Sequence, residues 1–527
     1  MFELKDFPEE LRDKSNHALL NGLMRGVERE ALRVNGRAEL SQSPHPSGLG
    51  SALCHPLITT DFSEALLEFI TPPSHRRDEL LEKLGQIQCF TSSQLNDELL
   101  WAMSMPCILP GEQHIPVARY GDSHNGQMKT IYRLGLGQRY GRSMQTVAGL
   151  HYNFSLPPAF WAHFHHKENS LETLDRYRNQ RYFSLIRNFR RHYWLLVLLF
   201  GASPAMDKSF VNGRKHTLEQ SDDGQSLYLP WATSLRMGDL GYQSSAQDEL
   251  FVCYNQKNTY IQTLAKAILE NHPAYENLPL KDQQGHYQQL SRGLLQIENE
   301  FYSSIRPKRS ARPGETALTA LHRRGVEYIE VRCLDVDPFE ALGITAGQSA
   351  FIDCFLLWCA LAPSPESNME ETALIAHNHR LVINEGRRPG VKLKHLEHGD
   401  LALKDWADAL VEAMQPIASM LDQANDTREH SAALSQQQKV LNNLELSPSA
   451  RLLKKMEKQS FVDVGLEQSR HNQLELQKRS VCEGQAQRFN DMAEKSHSAQ
   501  QKLEHASAGE FDEFLKRYYK QYKKLLA

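Results

Sequence analysis

Four short segments of this chain place acidic or imidazole side chains where strand-like sequence would otherwise carry aliphatic ones. In GVEREALRVN, residues 26–35, Glu28 and Glu30 stand two positions apart. Successive strand residues point to opposite faces, so the two carboxylates fall on one face and Val27, Arg29 and Ala31 on the other. In ITTDFSEALLEFITP, residues 58–72, Asp61, Glu64 and Glu68 interrupt an apolar run. Glu68 lies between Leu67 and Phe69, where a charge is costly unless it is paired or ligates a metal. In MQTVAGLHYNFSLP, residues 144–157, His151, Asn153 and Ser155 share a face. In RRGVEYIEVRCLDVDPF, residues 323–339, Tyr328, Glu330 and Arg332 share one face while Glu327, Ile329, Val331 and Cys333 take the other.

Each segment alone is open to a bland reading, a solvated strand face. Four with the same habit argue for one sheet whose polar face gathers them. Carboxylates on a common face repel unless water or a cation lies between them. An oxygen-rich set with a single imidazole suits Mg²⁺, or Mn²⁺, far better than zinc. Carboxylates do not hold phosphate without intervening cations. With Arg332 and the basic cluster Arg306, Lys308, Arg309 and Arg312 close by in sequence, the natural ligand is a magnesium–nucleotide complex. GLGQRYG, residues 135–141, lacks the lysine–hydroxyl pair of a P-loop, and the stretch 126–141 reads as a mobile, partly basic substrate loop. Arg236, between apolar neighbours in YLPWATSLRMGDLGY (228–242), has the planar fork that grips a carboxylate.

The elements that must position these residues follow from periodicity and breakers. Residues 3–24 read as an amphipathic helix ended by Asn21-Gly22, 75–99 as another, and 170–200 as a long helix stopped at GASPA. Residues 247–271 read as helix, and so does the apolar run 345–362. From about 400 onward nearly everything has a helical pattern, and the last segment, EFDEFLKRYYKQYKKLLA, puts acids early and lysines late as the helix dipole prefers. The chain therefore divides into a chemistry-bearing part over 1–395 and a helical part over 396–527, with no internal repeat.

Sixty basic against 64 acidic residues leave a net charge of −4, which gives no field for nucleic acid. The longest apolar run, Trp194 to Ala202, is too short for the ~20 residues of a membrane helix, and the first residues lack a signal-peptide core. Eight scattered cysteines form neither a zinc pattern nor a disulfide framework. A cytoplasmic protein with free thiols is expected.

The segments quoted above, together with MSMPC, KTIYRLGL, LFGASPA and QIENEFYSSIRPKR, resemble in order the proteobacterial type of glutamate–cysteine ligase, from about residue 20 to about 390. The resemblance implies an α+β fold in which a curved antiparallel sheet, like that of glutamine synthetase, forms a funnel backed by helices. It implies ATP-dependent phosphorylation of the γ-carboxylate of L-glutamate and attack by the amine of L-cysteine, giving γ-glutamylcysteine, ADP and phosphate, the first step of glutathione synthesis. By motif, Glu28, Glu30, Asp61, Glu68, His151 and Glu330 match metal-binding positions. Arg332, with Arg306 and Lys308, would meet the nucleotide's phosphates, and Arg236 a substrate carboxylate or the acyl phosphate. Tyr132, Gln145, Tyr242 and Tyr302 match the pocket for cysteine, and Asn153 is a further substrate contact. Glu330, Arg332 and Arg236 are the expected catalytic set, and Tyr328 has no role. Trp231 stands where a tyrosine is expected and Cys333 where a serine is, and neither change removes a charge. The resemblance further implies a monomer inhibited by glutathione. The rival readings are a ligase of the same sheet using another amine, a two-metal phosphohydrolase, and a non-catalytic metabolite binder.

Overall fold

The computed structural model describes residues 9–241, 245–247, 250–479 and 483–527. Its centre is a seven-stranded sheet of β1 (Met24–Val34), β2 (Ile58–Thr60), β3 (Leu66–Ile70), β4 (Leu99–Leu100), β5 (Gly149–Ser155), β6 (Ile305–Lys308) and β7 (Tyr328–Asp335). The spatial order is β2-β3-β1-β5-β7-β6, with β4 beside the far end of β1. Every pairing is antiparallel, so the expected α+β class with an antiparallel sheet holds. The register aligns the polar residues in a row: Glu30 faces Glu68, Glu28 faces His151, and Glu330 faces Asn153 on one side and Arg306 on the other.

β7 carries one extra residue. Val331 pairs with Tyr152 and Leu334 with Leu150, so three steps on β7 match two on β5, a β-bulge at Arg332 and Cys333. A bulge re-aims one side chain and reverses the alternation beyond it. Leu334 thus turns to the core although strict alternation from Glu330 would put it on the polar face.

The other face of the sheet, with Val27, Ala31, Leu150, Tyr152, Phe154, Ile329 and Val331, packs into one apolar core with helices from both halves of the chain. Deepest is the helix Ala346–Leu361, apolar all round and fixed at its start by a capping box of Thr345 and Gln348. Its one charge, Asp353, is fully buried and accepts hydrogen bonds from Arg25 Nε at 2.7 Å, Arg77 Nη2 at 2.7 Å and Tyr152 Oη at 2.9 Å. Burial alone would raise the Asp353 carboxyl, but Arg25, His430 and Arg77 hold it below the usual carboxylate range. The knot continues through Arg77 to Glu429 and through His430 Nδ1 to Asp422 at 2.9 Å, binding the helices Leu403–Asn425 and Glu429–Asn442 to the back of β1 and β5.

Several elements differ from the sequence reading. Residues 126–141 are not a loop but the body of a helix, His124–Tyr140, capped by Ser123. Its glycines mark close packing rather than mobility: a β-carbon on Gly135 would lie 2.2 Å from Gln296 Oε1. The expected helix over 3–24 reduces to His17–Asn21 after two short 3-10 turns, because β1 begins at Met24; residues 3–8 lie outside the described chain. The helix over 170–200 divides at Tyr193 into Leu174–His192 and Trp194–Phe200. Of 247–271 only Lys257–Leu269 is helical. The helix placed at 75–99 is Arg77–Ser93, since β4 follows.

Removing the acceptor at the centre of the buried knot leaves Arg25 without a counter-charge and Arg77 with only the exposed Glu429. Asp353→Ala should therefore destabilise the protein by about 3–5 kcal/mol, read as a lowered midpoint in urea unfolding.

Candidate active site

The polar row converges on His151. Its Nδ1 lies 3.2 Å from Glu28 Oε2, and its Nε2 lies 3.7 Å from Glu30 Oε1. Two sets of ligand-type atoms result, Glu28–His151–Glu330 and Glu30–Glu68–His151, each set lying within 4.8 Å of one another. The alternation of β1, the pairing of β1 with β3 and β5, and the β5–β7 register produce this from residues some 300 positions apart.

The electrostatics differ across the row. Glu330, 1 % exposed, meets Lys308 Nζ at 3.1 Å and Arg332 Nη1 at 3.1 Å. Burial would raise its carboxyl, yet Lys308, Arg332 and His151 hold it well below the usual range. Glu28 is also lowered: burial and Glu330 oppose this, but the hydrogen bond with His151 and the charges of His151 and Lys308 outweigh them. Asn153 Nδ2 donates to its other oxygen at 2.8 Å. At the opposite end burial dominates. Glu30 is raised by burial and by Asp61, even though it accepts the Gly149 N–H at 2.5 Å. Glu68 is pushed well above its ordinary value by burial and by Glu28, Asp61 and Glu30. One end of the row is thus neutralised by protein cations, while the other is a crowd of carboxylates with too little positive charge.

That imbalance is what a bound divalent cation would correct. The donor set, carboxylate oxygens and one imidazole, fits a hard ion such as Mg²⁺. Asp61 stands beside rather than inside the two sets: it acts on Glu30 and Glu68 through its charge, and its backbone oxygen accepts from Arg133 and Tyr120.

Other expected residues are placed as follows. Gln145 Nε2 donates to Tyr302 Oη at 2.9 Å, and the Tyr302 ring meets that of Tyr140 edge-on at 5.7 Å. Tyr132 lies on the helix His124–Tyr140, and burial with the charge of Glu300 keeps its phenol protonated. Tyr242 lies outside the described residues. Arg236 is buried and committed in part to the fold: Nε donates to Asp335 at 2.8 Å and Nη2 to the carbonyl of Leu334 at 2.7 Å. Its Nη1 lies against Gly149, where a β-carbon would come within 2.9 Å. Arg306 shares the Glu330 face, but Nη2 donates to the carbonyls of Phe301 and of Asn299, the latter at 2.9 Å. Tyr328 faces Lys308 across the β6–β7 pair and gains no further role.

Two cations were missed by the sequence reading. Lys129 and Arg133, one helical turn apart, bring positive charge to Glu68, and both stack over Tyr120. Burial pushes Lys129 down to about 8. The spacing Lys129, Tyr132, Arg133, Leu136 was the available signal, one helix face obscured by glycines.

Residues 9–382 match the family model described as glutamate-cysteine ligase. The chain belongs to the glutamate–cysteine ligase family. A glutamate–cysteine ligase of Saccharophagus degradans is 54% identical over 99% of both chains, and one of Pseudomonas putida is 46% identical over 96% of both. The crystal structure of the Francisella tularensis glutamate–cysteine ligase in complex with AMP superposes with a TM-score of 0.89 at 34% identity, covering 95% of this chain and 98% of that one. A bifunctional glutathione synthetase from Pasteurella multocida shares the fold, with a TM-score of 0.69 at 22% identity.

A carboxyl raised in the folded state above its unfolded value of 4.5 favours folding fully at acid pH, and that contribution is lost as pH rises through the raised value. Without divalent cations, Glu68→Gln should therefore melt about 1–3 °C above the parent at neutral pH, with the gap closing toward pH about 4. A pH series of thermal melts in a chelator checks this.

Proposed function

We propose that the acidic row is the catalytic centre at which this ligase joins the γ-carboxylate of L-glutamate to the amine of L-cysteine at the expense of ATP. The observation that carries the reading is the row itself: Glu28, Glu30, Glu68, His151 and Glu330 in register on one face, with Arg332 and Lys308 at its cationic end. Glu28, Glu30, Glu68, His151 and Glu330 would hold Mg²⁺, with Asp61 adding charge beside them. When bound, the ion neutralises phosphate charge and draws ATP and the glutamate carboxylate together.

The γ-carboxylate oxygen attacks the terminal phosphorus of ATP, and the bond to the bridging oxygen breaks to release ADP. Arg332 and Lys308, fixed by Glu330, meet the charge on the transferring phosphoryl group. Arg306 contributes charge to the same border and holds the turn at 299–301. The cysteine amine then attacks the carbonyl carbon of the γ-glutamyl phosphate, the C–O bond to phosphate breaks with its electrons going to phosphate, and the proton lost by the nitrogen leaves on that phosphate. Tyr132, Gln145 and Tyr302 would line the cysteine site, where protonated phenols and an amide surround a small thiol. Asn153 orients Glu28 and borders the glutamate site, and Arg236 would approach the substrate through the nitrogen beside Gly149.

The row is complete within a single chain, so its chemistry calls for no residue from a second copy, and glutathione, carrying both γ-glutamyl and cysteinyl groups, would compete for the pocket. Among the described residues no helix is long and apolar enough to cross a membrane.

Phosphate release from Mg·ATP should require both glutamate and cysteine, and turnover that ignores either would overturn the reading. Arg332→Ala should lower kcat by about a thousandfold, as removal of a phosphate-facing arginine does elsewhere. Glu330→Gln should also abolish turnover, with unchanged circular dichroism in both variants.

A further inference from the structure

The helix Phe511–Leu526 lies far from the acidic row in sequence, yet its hydrogen bonds run toward the pocket side of the site. Tyr519 Oη donates to the carbonyl of Gln296 at 2.7 Å, and Tyr522 Oη donates to the Glu298 carboxylate. Residues 289–300 form a strap between this terminal helix and the helix His124–Tyr140. Gln296 is fully buried and satisfied on every side: Nε2 donates to the carbonyl of Tyr132 at 3.1 Å, Oε1 accepts from Leu290 N at 2.9 Å, and its N–H donates to Glu300 at 2.7 Å. Glu300 in turn accepts from Arg139 and Tyr140 of the same helix, both at 2.8 Å.

The strap also reaches the second wall of the pocket. Gln247 Nε2 donates to the Glu300 carbonyl at 2.9 Å, while its Oε1 accepts the N–H of Tyr302 at 3.0 Å. Tyr302 is the partner of Gln145. Ile131, Ile297 and Leu515 close an apolar contact beneath these bonds, with Met128 and Tyr132 packed against it. The tight approach of Gln296 to Gly135 leaves the strap little room to move without moving the helix.

We propose that Tyr519 is a positioning residue for the amino-acid acceptor pocket, acting through Gln296 and Glu300 on Tyr132 and Tyr302. This rests on the assignment of Tyr132 and Tyr302 to the cysteine site. The polar contacts of Tyr519 continue through buried groups to two sides of the pocket.

The test is a KM comparison in the full-length enzyme. Tyr519→Phe keeps the ring and deletes one neutral hydrogen bond, so KM for cysteine should rise about 3- to 10-fold while kcat and KM for ATP stay within about twofold. Gln296→Leu should act in the same direction, and the double variant should fall short of the product of the two effects, because both cut one path. Lys516→Ala, on the exposed face, should change nothing. A lowered melting temperature with unaltered KM values, or equal rises in both KM values, would overturn the proposal. Tyr132→Phe is measured alongside. If it leaves KM for cysteine unchanged, the pocket assignment falls and the proposal with it. If it raises that KM and Tyr519→Phe does not, the proposal alone falls.

Discussion

Repulsion among carboxylates on one face of an antiparallel sheet is the constraint to which the rest of the molecule answers. Glu28, Glu30, Glu68 and Glu330 are drawn together by strand register, and an aqueous face would let water separate them. Here they are buried or half-buried, so the protein must supply or leave room for compensating charge. It does so unevenly. Lys308, Arg332 and His151 keep Glu28 and Glu330 ionised, whereas Glu68 and Glu30 are held toward their neutral forms. The asymmetry gives the face a direction: anionic and cation-seeking near β3, cationic and phosphate-seeking near β6.

A strained face of this kind needs a rigid back. Tyr152 is on the core side of the strand that carries His151, and its hydroxyl is tied to Asp353. Arg25, on the strand that carries Glu28 and Glu30, is tied to the same carboxylate. β1 and β5 are thus fixed from behind by one ionic knot centred on a buried carboxylate, and the C-terminal helices are part of that knot through His430 and Glu429. Burying so many charges is not a route to high stability, but partners with full hydrogen bonding make the arrangement single-valued.

Much of the face was legible because its signal is local. Period-2 alternation in GVEREALRVN and GVEYIEVR names the face of each residue, and the structure keeps Glu28 with Glu30 and Glu330 near Arg332. Three things were not legible. The glycines of residues 126–141 look like a loop in sequence, because their reason, contact with Gln296 and Tyr120, is tertiary. The bulge after Val331 has no local mark, since an extra residue is visible only against its partner strand. The partners of Arg236 and Arg306 were likewise hidden: Asp335 and two backbone carbonyls are not neighbours that composition can show.

The strand order has a kinetic side. Glu28 meets Asn153 across 125 positions, and Arg332 meets His151 across 181. Each such contact must first close a long loop, so the central pairings belong to the slow part of folding, after local helices have formed. Until β7 arrives, β5 presents an open edge, and the cations of β6 and β7 are missing from a face already crowded with acid. An unpaired β5 edge would lie beside the carboxylates of β1, and like charges at such an edge disfavour pairing with a second copy. Solubility of the nascent sheet and chemistry of the finished one draw on the same residues.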